Sequence, residues 1–157
     1  MATNDNALRE QLVTFLDWGN AHLKFSDAVK DFSPALRGKR PAGAAHSAWE
    51  LVEHLRLALW DILEFARDPK HVSPEFPDGY WPATEAPPSD ATWEESVASV
   101  GNALREFGEL VANESTDLFA RIPHGDGQTI LREALLAADH NAYHLGQLVM
   151  VRRMLGA

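Results

Sequence analysis

The chain has 157 residues, of which 14 are Lys or Arg and 23 are Asp or Glu, so its formal net charge at pH 7 is −9. This length suits one domain over residues 1–157 and allows a sizeable buried core without disulfide bonds. The negative charge disfavours binding to nucleic-acid phosphates, and no Cys is present to supply a thiolate nucleophile or a metal ligand.

The chain carries no pattern typical of membrane insertion. The longest stretch without a formal charge, residues 140–151, has 12 residues, whereas a membrane-spanning helix needs about 20. The first residues, Met-Ala-Thr-Asn-Asp, lack the basic start and apolar run of a signal peptide. We therefore expect no membrane partner and a cytoplasmic protein.

Helical periodicity dominates the chain. The first predicted helix covers residues 6–32, where small and apolar side chains recur every three or four positions. These are Leu8, Leu12, Phe15, Gly19, Leu23 and Ser26. The second helix follows Ser47-Ala-Trp-Glu50, which fits a capping box, and extends to about Arg67. A third helix is predicted over residues 91–113 and a fourth over residues 129–155, with Thr129 as its cap.

Residues 68–89, between the second and third helices, contain six of the nine prolines and cannot be helical throughout. Phe76, Tyr80 and Trp81 lie in this crossover. Aromatic rings are poorly accommodated in water, and prolines lower the entropy that is lost when a segment becomes ordered. We expect the crossover to pack over one end or side of the helices and to help shape a pocket.

Four long helices without a convincing strand predict an all-α four-helix bundle. Short connections join the first helix to the second and the third to the fourth, so each of these pairs should be antiparallel. The long crossover can travel the length of the bundle, which lets the second and third helices run parallel. The predicted order is up-down-down-up.

Seven His residues are the obvious source of chemistry. His140 and His144 are four residues apart, so on a helix they lie on one face, as two ligands of one metal ion can. Catalytic zinc-type sites commonly have three protein ligands, and a third should come from a facing helix. His54 is the best candidate because it lies in the middle of the second helix, where a buried polar side chain needs a partner.

Two motifs resemble the DinB/YfiT-like superfamily of metal-dependent proteins: H-S-A-W-E-L-V-E-H-L at residues 46–55 and D-H-N-A-Y-H-L-G-Q-L at residues 139–148. The likeness covers nearly the whole chain in helix order and in the long crossover. It implies an up-down-down-up four-helix bundle with His54, His140 and His144 as metal ligands. It also implies thiol chemistry, because some members are transferases or isomerases that use a low-molecular-weight thiol.

Three functions follow as hypotheses. The first is an enzyme that holds one divalent metal ion at a mononuclear three-His site and acts on a small molecule, by thiol-dependent transfer or isomerisation. Without Cys in the chain, the thiol must be external. The second is a non-catalytic, stress-related dimer that the metal stabilises, and the third is a hydrolase that uses metal-activated water. Zinc and nickel are the leading metals, with iron, manganese and copper as alternatives.

Three further polar residues are candidate catalytic groups. Asp61 lies two turns after His54 and could orient a ligand, bind substrate or form an ion pair. Gln147 follows His144 by one turn and could support that ring or simply pack. His22 falls in the apolar stripe of the first helix, as a fourth ligand, a pocket residue or a core His bonded to a backbone carbonyl.

Apolar residues occupy two sides of the fourth helix, more than one bundle position normally buries. One side carries His140 and His144, and the nearly opposite side carries Leu131, Leu135, Ala138, Ala142, Leu145 and Val149. We therefore predict a homodimer to which the fourth helix contributes. A monomer in which both sides are internal is the alternative.

Overall fold

The structure is a computed structural model that describes residues 2–17 and 21–157, with side chains from residue 4 onward. The described residues form α-helices and two short 3-10 turns, together with one isolated bridge between Arg121 and Thr129. The helices are α1 (Ala2–Leu16), α2 (Phe25–Val29), α3 (Ala48–Arg67), α4 (Asp90–Ala112) and α5 (Ile130–Leu155). The predicted all-α class is confirmed. None of the described helices is both long and apolar enough to span a membrane.

The predicted first helix is wrong in its extent. The α1 helix ends at Leu16, residues 21–24 are not helical, and α2 is a separate short helix. The predicted stripe fails because Phe15 and Leu23 are exposed and bury nothing that would hold a continuous helix. Gly19, also part of that stripe, lies outside the described residues.

The start of α3 follows the capping-box prediction. The Ser47 hydroxyl accepts a hydrogen bond from the backbone N–H of Glu50, and the Glu50 carboxylate accepts one from the Ser47 N–H. The buried Ser47 hydroxyl also donates to the backbone carbonyl of Glu85, 2.6 Å away in the crossover. One side chain therefore both begins α3 and ties the crossover to it.

The helices α4 and α5 begin and end within a residue of the predicted positions. Ser89 accepts from the N–H of Thr92 at the start of α4, and Thr129 accepts from the N–H of Arg132 at the start of α5. Gly156 ends α5 in the left-handed conformation at φ 68°, which an L side chain adopts only with strain.

Contacts between α3 and α4 follow the same chain order on both helices. Glu53, early in α3, accepts a hydrogen bond from Ser96, and Arg67, at the end of α3, donates one to Glu106, both at 2.7 Å. A parallel pair of helices makes contacts in this order. The complete up-down-down-up order remains a prediction.

A single apolar core joins α1, α3, α4 and α5, with α3 packed against both α4 and α5. Side chains of Leu16, Leu55, Leu59, Phe107 and Leu148 are fully buried in it. Each such side chain stabilises the fold by roughly 1.5 to 3 kcal/mol. The core therefore holds α3 and α5 firmly enough to fix groups that project between them.

The crossover is tied to the bundle along part of its length. Tyr80 and Trp81 are half-buried, as expected, and the short 3-10 turn Asp78–Tyr80 contacts α3. Phe76, by contrast, is 84% exposed, so among the three aromatic residues only Tyr80 and Trp81 take part in this packing.

Replacing Ser47 by Ala should destabilise the protein more than removing a simple helix cap. The variant loses the cap of α3, worth about 1 kcal/mol, and leaves the Glu85 carbonyl without its donor, which costs about another 1 kcal/mol. Urea unfolding should show this loss. Ser89→Ala is the matched control, because exposed Ser89 caps α4 and its described side-chain contacts are confined to Thr92 in the same first turn. Equal losses in the two variants would contradict a second role for Ser47.

Candidate metal centre

Three imidazoles meet between α3 and α5. His54 projects from the middle of α3, and His140 and His144 project from one face of α5. The Nε2 atom of His54 lies 3.1 Å from the Nε2 atoms of both His140 and His144. The three ligand atoms all lie within 4.8 Å of one another, and no other such group occurs in the part of the chain described. The structure therefore brings together the three predicted ligands.

The far nitrogens of two of these rings are held by hydrogen bonds. The Nδ1 of His54 lies 2.8 Å from the backbone carbonyl of Tyr80, and the Nδ1 of His144 lies 2.7 Å from Oε1 of Gln147. Both oxygens are acceptors, so each Nδ1 carries a proton and donates it. In a neutral ring the Nε2 atom then carries a lone pair.

The lone pairs of His54 and His144 consequently face each other at 3.1 Å with no proton between them. The buried Nδ1 atom of half-buried His140 has no hydrogen-bond partner among the described residues, so at most the one proton of this ring is available to the three Nε2 atoms. A cation between the three nitrogens would satisfy every lone pair. Nitrogens bound to one zinc ion at 2.0–2.1 Å lie about 3.3 Å apart in a tetrahedral site, so the residues fit a divalent metal.

Burial keeps the three rings uncharged at neutral pH. Because the site is poorly solvated, the pKa of His54 and that of His144 are lowered from 6.5 to about 4. The pKa of His140 is also lowered, and again burial is the main cause. Neutral imidazole is the form that binds a metal ion, so no proton has to leave at pH 7.

The indole of Trp81 covers one face of the cluster. It stacks on His54 with ring centroids 3.9 Å apart and planes 3° from parallel, and on its other face it stacks on His46 at 4.1 Å. The crossover thus supplies both the carbonyl that orients His54 and the ring that shields it.

A network around Asp61 holds the crossover in this position. The buried Asp61 carboxylate accepts hydrogen bonds from the hydroxyl of Tyr80 and from Nε2 of His71, both at 2.7 Å. Burial, together with this contact, raises the pKa of Tyr80 to about 12, so its hydroxyl keeps its proton and donates. Asp61 therefore reaches His54 only through Tyr80.

The comparison with known families agrees with this geometry. The sequence profile of the DinB superfamily matches residues 21–148, most of the chain. The chain belongs to the DinB superfamily. No curated protein and no solved structure matched it.

The remaining candidate residues of this DinB-superfamily chain differ in whether they contact the three-His cluster. Gln147 contacts a ring of the cluster directly. His22 is exposed, and its described contact is the carbonyl of Leu23. The expected place of His22 in a core stripe is wrong, because the first helix ends before it. His124 bonds to the carbonyl of Phe65 and also lies outside the cluster.

Sequence reasoning misses the contacts that the crossover makes. No sequence pattern assigns a role to His71, yet it pairs with Asp61. The bond from His54 to Tyr80 uses a backbone carbonyl, which every residue has, so no side-chain pattern could reveal it. Only the aromatic content of the crossover signals that this segment packs.

Lowering the pH should destabilise the metal-free protein. In the unfolded chain His54 and His144 titrate near 6.5, whereas in the folded protein burial holds their pKa at about 4. Between these values the unfolded chain binds more protons, so the free energy of unfolding should fall as the pH falls from 6.5 towards 4. Urea unfolding at pH 7 and pH 5 with a chelator present measures this loss.

The double variant His54→Gln with His144→Gln should lose less stability across that interval. Replacing His22, an exposed ring outside the cluster, by Gln is the control for the His-to-Gln change itself. If the double variant and the parent lose the same free energy, the depressed pKa values do not govern acid stability.

Proposed function

We propose that this DinB-superfamily protein is a metal-dependent enzyme that holds one divalent ion at His54, His140 and His144 and acts on a small molecule. The observation that carries the proposal is the meeting of three Nε2 atoms whose rings are neutral and, for two of them, oriented from behind. A divalent metal bound by neutral imidazoles keeps its full charge and lowers the pKa of a thiol or water that it binds.

Thiol-dependent transfer is the reaction that the surroundings favour. In residues 4–17 and 21–157, no carboxylate forms a hydrogen bond with any of the three rings, and Asp61 is already engaged by Tyr80 and His71. A water nucleophile benefits from such a base, whereas a thiol with an ordinary pKa near 8.5 needs less help. Since the chain has no Cys, the thiol must come from a small molecule.

The chain's own residues prepare the site for that reaction. Tyr80 and Gln147 fix the orientation of two rings, and Trp81 keeps water from one face of His54. The sulfur of the external thiol would form a bond to an electrophilic carbon, the leaving group would take the bonding electrons, and the thiol proton would pass to solvent. Zinc and nickel are the leading metals for three imidazoles, and iron, manganese and copper remain alternatives.

The protein should bind about one divalent metal ion per chain, as three His ligands predict. His54→Ala, His140→Ala and His144→Ala should each abolish binding or weaken it strongly while leaving the helices intact. Elemental analysis after dialysis and circular dichroism measure the two properties. Full metal occupancy in His54→Ala would show that the assignment is wrong.

Two further variants test whether the loss of metal binding is specific to the three ligands. His22→Ala, at an exposed ring, should keep full occupancy. Gln147→Leu should weaken metal binding about 10- to 100-fold without abolishing it, because the ligand is kept but its orienting partner is lost.

Activity is tested with metal-loaded protein, low-molecular-weight thiols and a panel of electrophiles, with mass spectrometry to detect the S-linked product. Product should form only when metal and thiol are both present, and His54→Ala should form none. Ester or amide hydrolysis without thiol would favour the hydrolase instead. Metal binding without turnover of either kind would favour a structural metal.

A non-catalytic, metal-stabilised dimer is the second candidate, since one side of α5 is exposed and apolar. Tyr143, Met150 and Met154 are 66%, 53% and 50% exposed. This exposed side is not the side of the fourth helix that the sequence predicts as the interface. Ala138 and Leu145, which belong to that predicted side, are buried within the chain. Light scattering at micromolar concentration measures the oligomeric state, and a monomeric mass would remove this candidate.

A further inference from the structure

An open groove lies beside the metal centre, between α5 and the segment that precedes α3. Its volume is about 640 Å³, within the range of small-molecule pockets. Its lining includes His46, Tyr143, Gly146, Gln147, Met150 and Met154.

The groove adjoins the candidate metal centre, and three of its lining side chains connect the two. Gln147 lines the groove and accepts the hydrogen bond from His144. Tyr143 lines it as well, and its ring lies edge-on to His144 with centroids 4.9 Å apart. His46 completes the connection, because it stacks on the Trp81 ring that covers His54. A molecule in the groove would thus lie one side chain away from the three-His cluster.

The lining selects for an uncharged, apolar occupant. No Asp, Glu, Lys or Arg among the described residues lines the groove, and its polar side chains are His46, Gln147 and Tyr143. Met150 and Met154 are half exposed there, and unbranched thioether side chains adapt to apolar groups of different shape. At Gly146 a Cβ atom would meet no other atom within 4 Å, so the space beside α5 is open.

We propose that this groove binds the alkyl or aryl part of a substrate whose donor head group reaches the three-His cluster. The inference rests on the proposed metal-dependent function and adds a substrate class to it: small molecules with an uncharged apolar chain next to the reacting group.

Alkanethiols from ethanethiol to pentanethiol, bound to the cobalt-loaded protein, test the substrate class. The visible spectrum of cobalt reports the thiol at the metal. Each added methylene should tighten binding about two- to fourfold, as expected for partial to full burial of that group. The affinity should therefore rise by about tenfold or more over the series.

Gly146→Phe should remove this dependence on chain length, because the new side chain occupies the groove without touching a ligand. It should leave metal occupancy and the binding of azide, which has no alkyl chain, unchanged. Gly101→Phe is the matched control. Gly101 is also helical, with open space where a Cβ atom would lie, but it belongs to α4 and lines a different surface depression. This control should keep the parent chain-length series.

Metal-free protein gives an independent measurement. Two of the three methionines line the groove, so pentanol should shift the ¹³C-methyl resonances of Met150 and Met154, and Gly146→Phe should suppress those shifts.

The outcomes separate the two proposals. If cobalt does not bind, the metal proposal fails, while shifts of the methionine signals with pentanol would still support the groove. If cobalt and ethanethiol bind but affinity does not grow with chain length, the groove proposal is overturned and the metal site stands. A chain-length series that persists in Gly146→Phe also overturns it.

Discussion

The arrangement of two imidazole lone pairs is the constraint on which the rest of the site depends. The Tyr80 carbonyl and the Gln147 side-chain oxygen each accept a hydrogen bond from the far nitrogen of a His ring, so the near nitrogens of His54 and His144 face each other at 3.1 Å as acceptors. Such a contact is unfavourable in a poorly solvated site unless a cation lies between the rings. This contact makes the metal-free fold less stable than one with Leu at positions 54 and 144, because Leu side chains would pack there without facing lone pairs. A destabilising polar cluster of this kind is typical of a functional site.

The crossover takes part in this site as much as the helices do. Its Tyr80 carbonyl orients His54, its Trp81 ring lies between His54 and His46, and Asp61 anchors it through the Tyr80 hydroxyl. The cap of α3 adds a second anchor through the bond from Ser47 to the crossover. The position of the crossover and the orientation of His54 are therefore linked by direct contacts.

Much of the fold could be predicted because its signals are local. The Ser47 capping box, the caps at Ser89 and Thr129, and long apolar stripes set the limits of α3, α4 and α5. The break after Leu16 could not be predicted. Helical spacing at Phe15 and Leu23 does not reveal whether these side chains are buried against another helix. The meeting of His54, His140 and His144 was predictable from spacing and family resemblance. The Tyr80 carbonyl and the pairing of His71 with Asp61 were not, because both depend on the path of a segment without periodicity.

The same burial that depresses the histidine pKa values also explains why the groove beside the cluster suits an apolar chain. An uncharged lining next to the rings keeps the local polarity low, which disfavours protonated imidazole and strengthens the attraction between a metal charge and a thiolate. A charged residue at Gly146 or Met150 would solvate the cluster and weaken both effects. Neutral imidazoles, an apolar groove and a stacked indole are thus parts of one weakly polar arrangement around the three-His cluster.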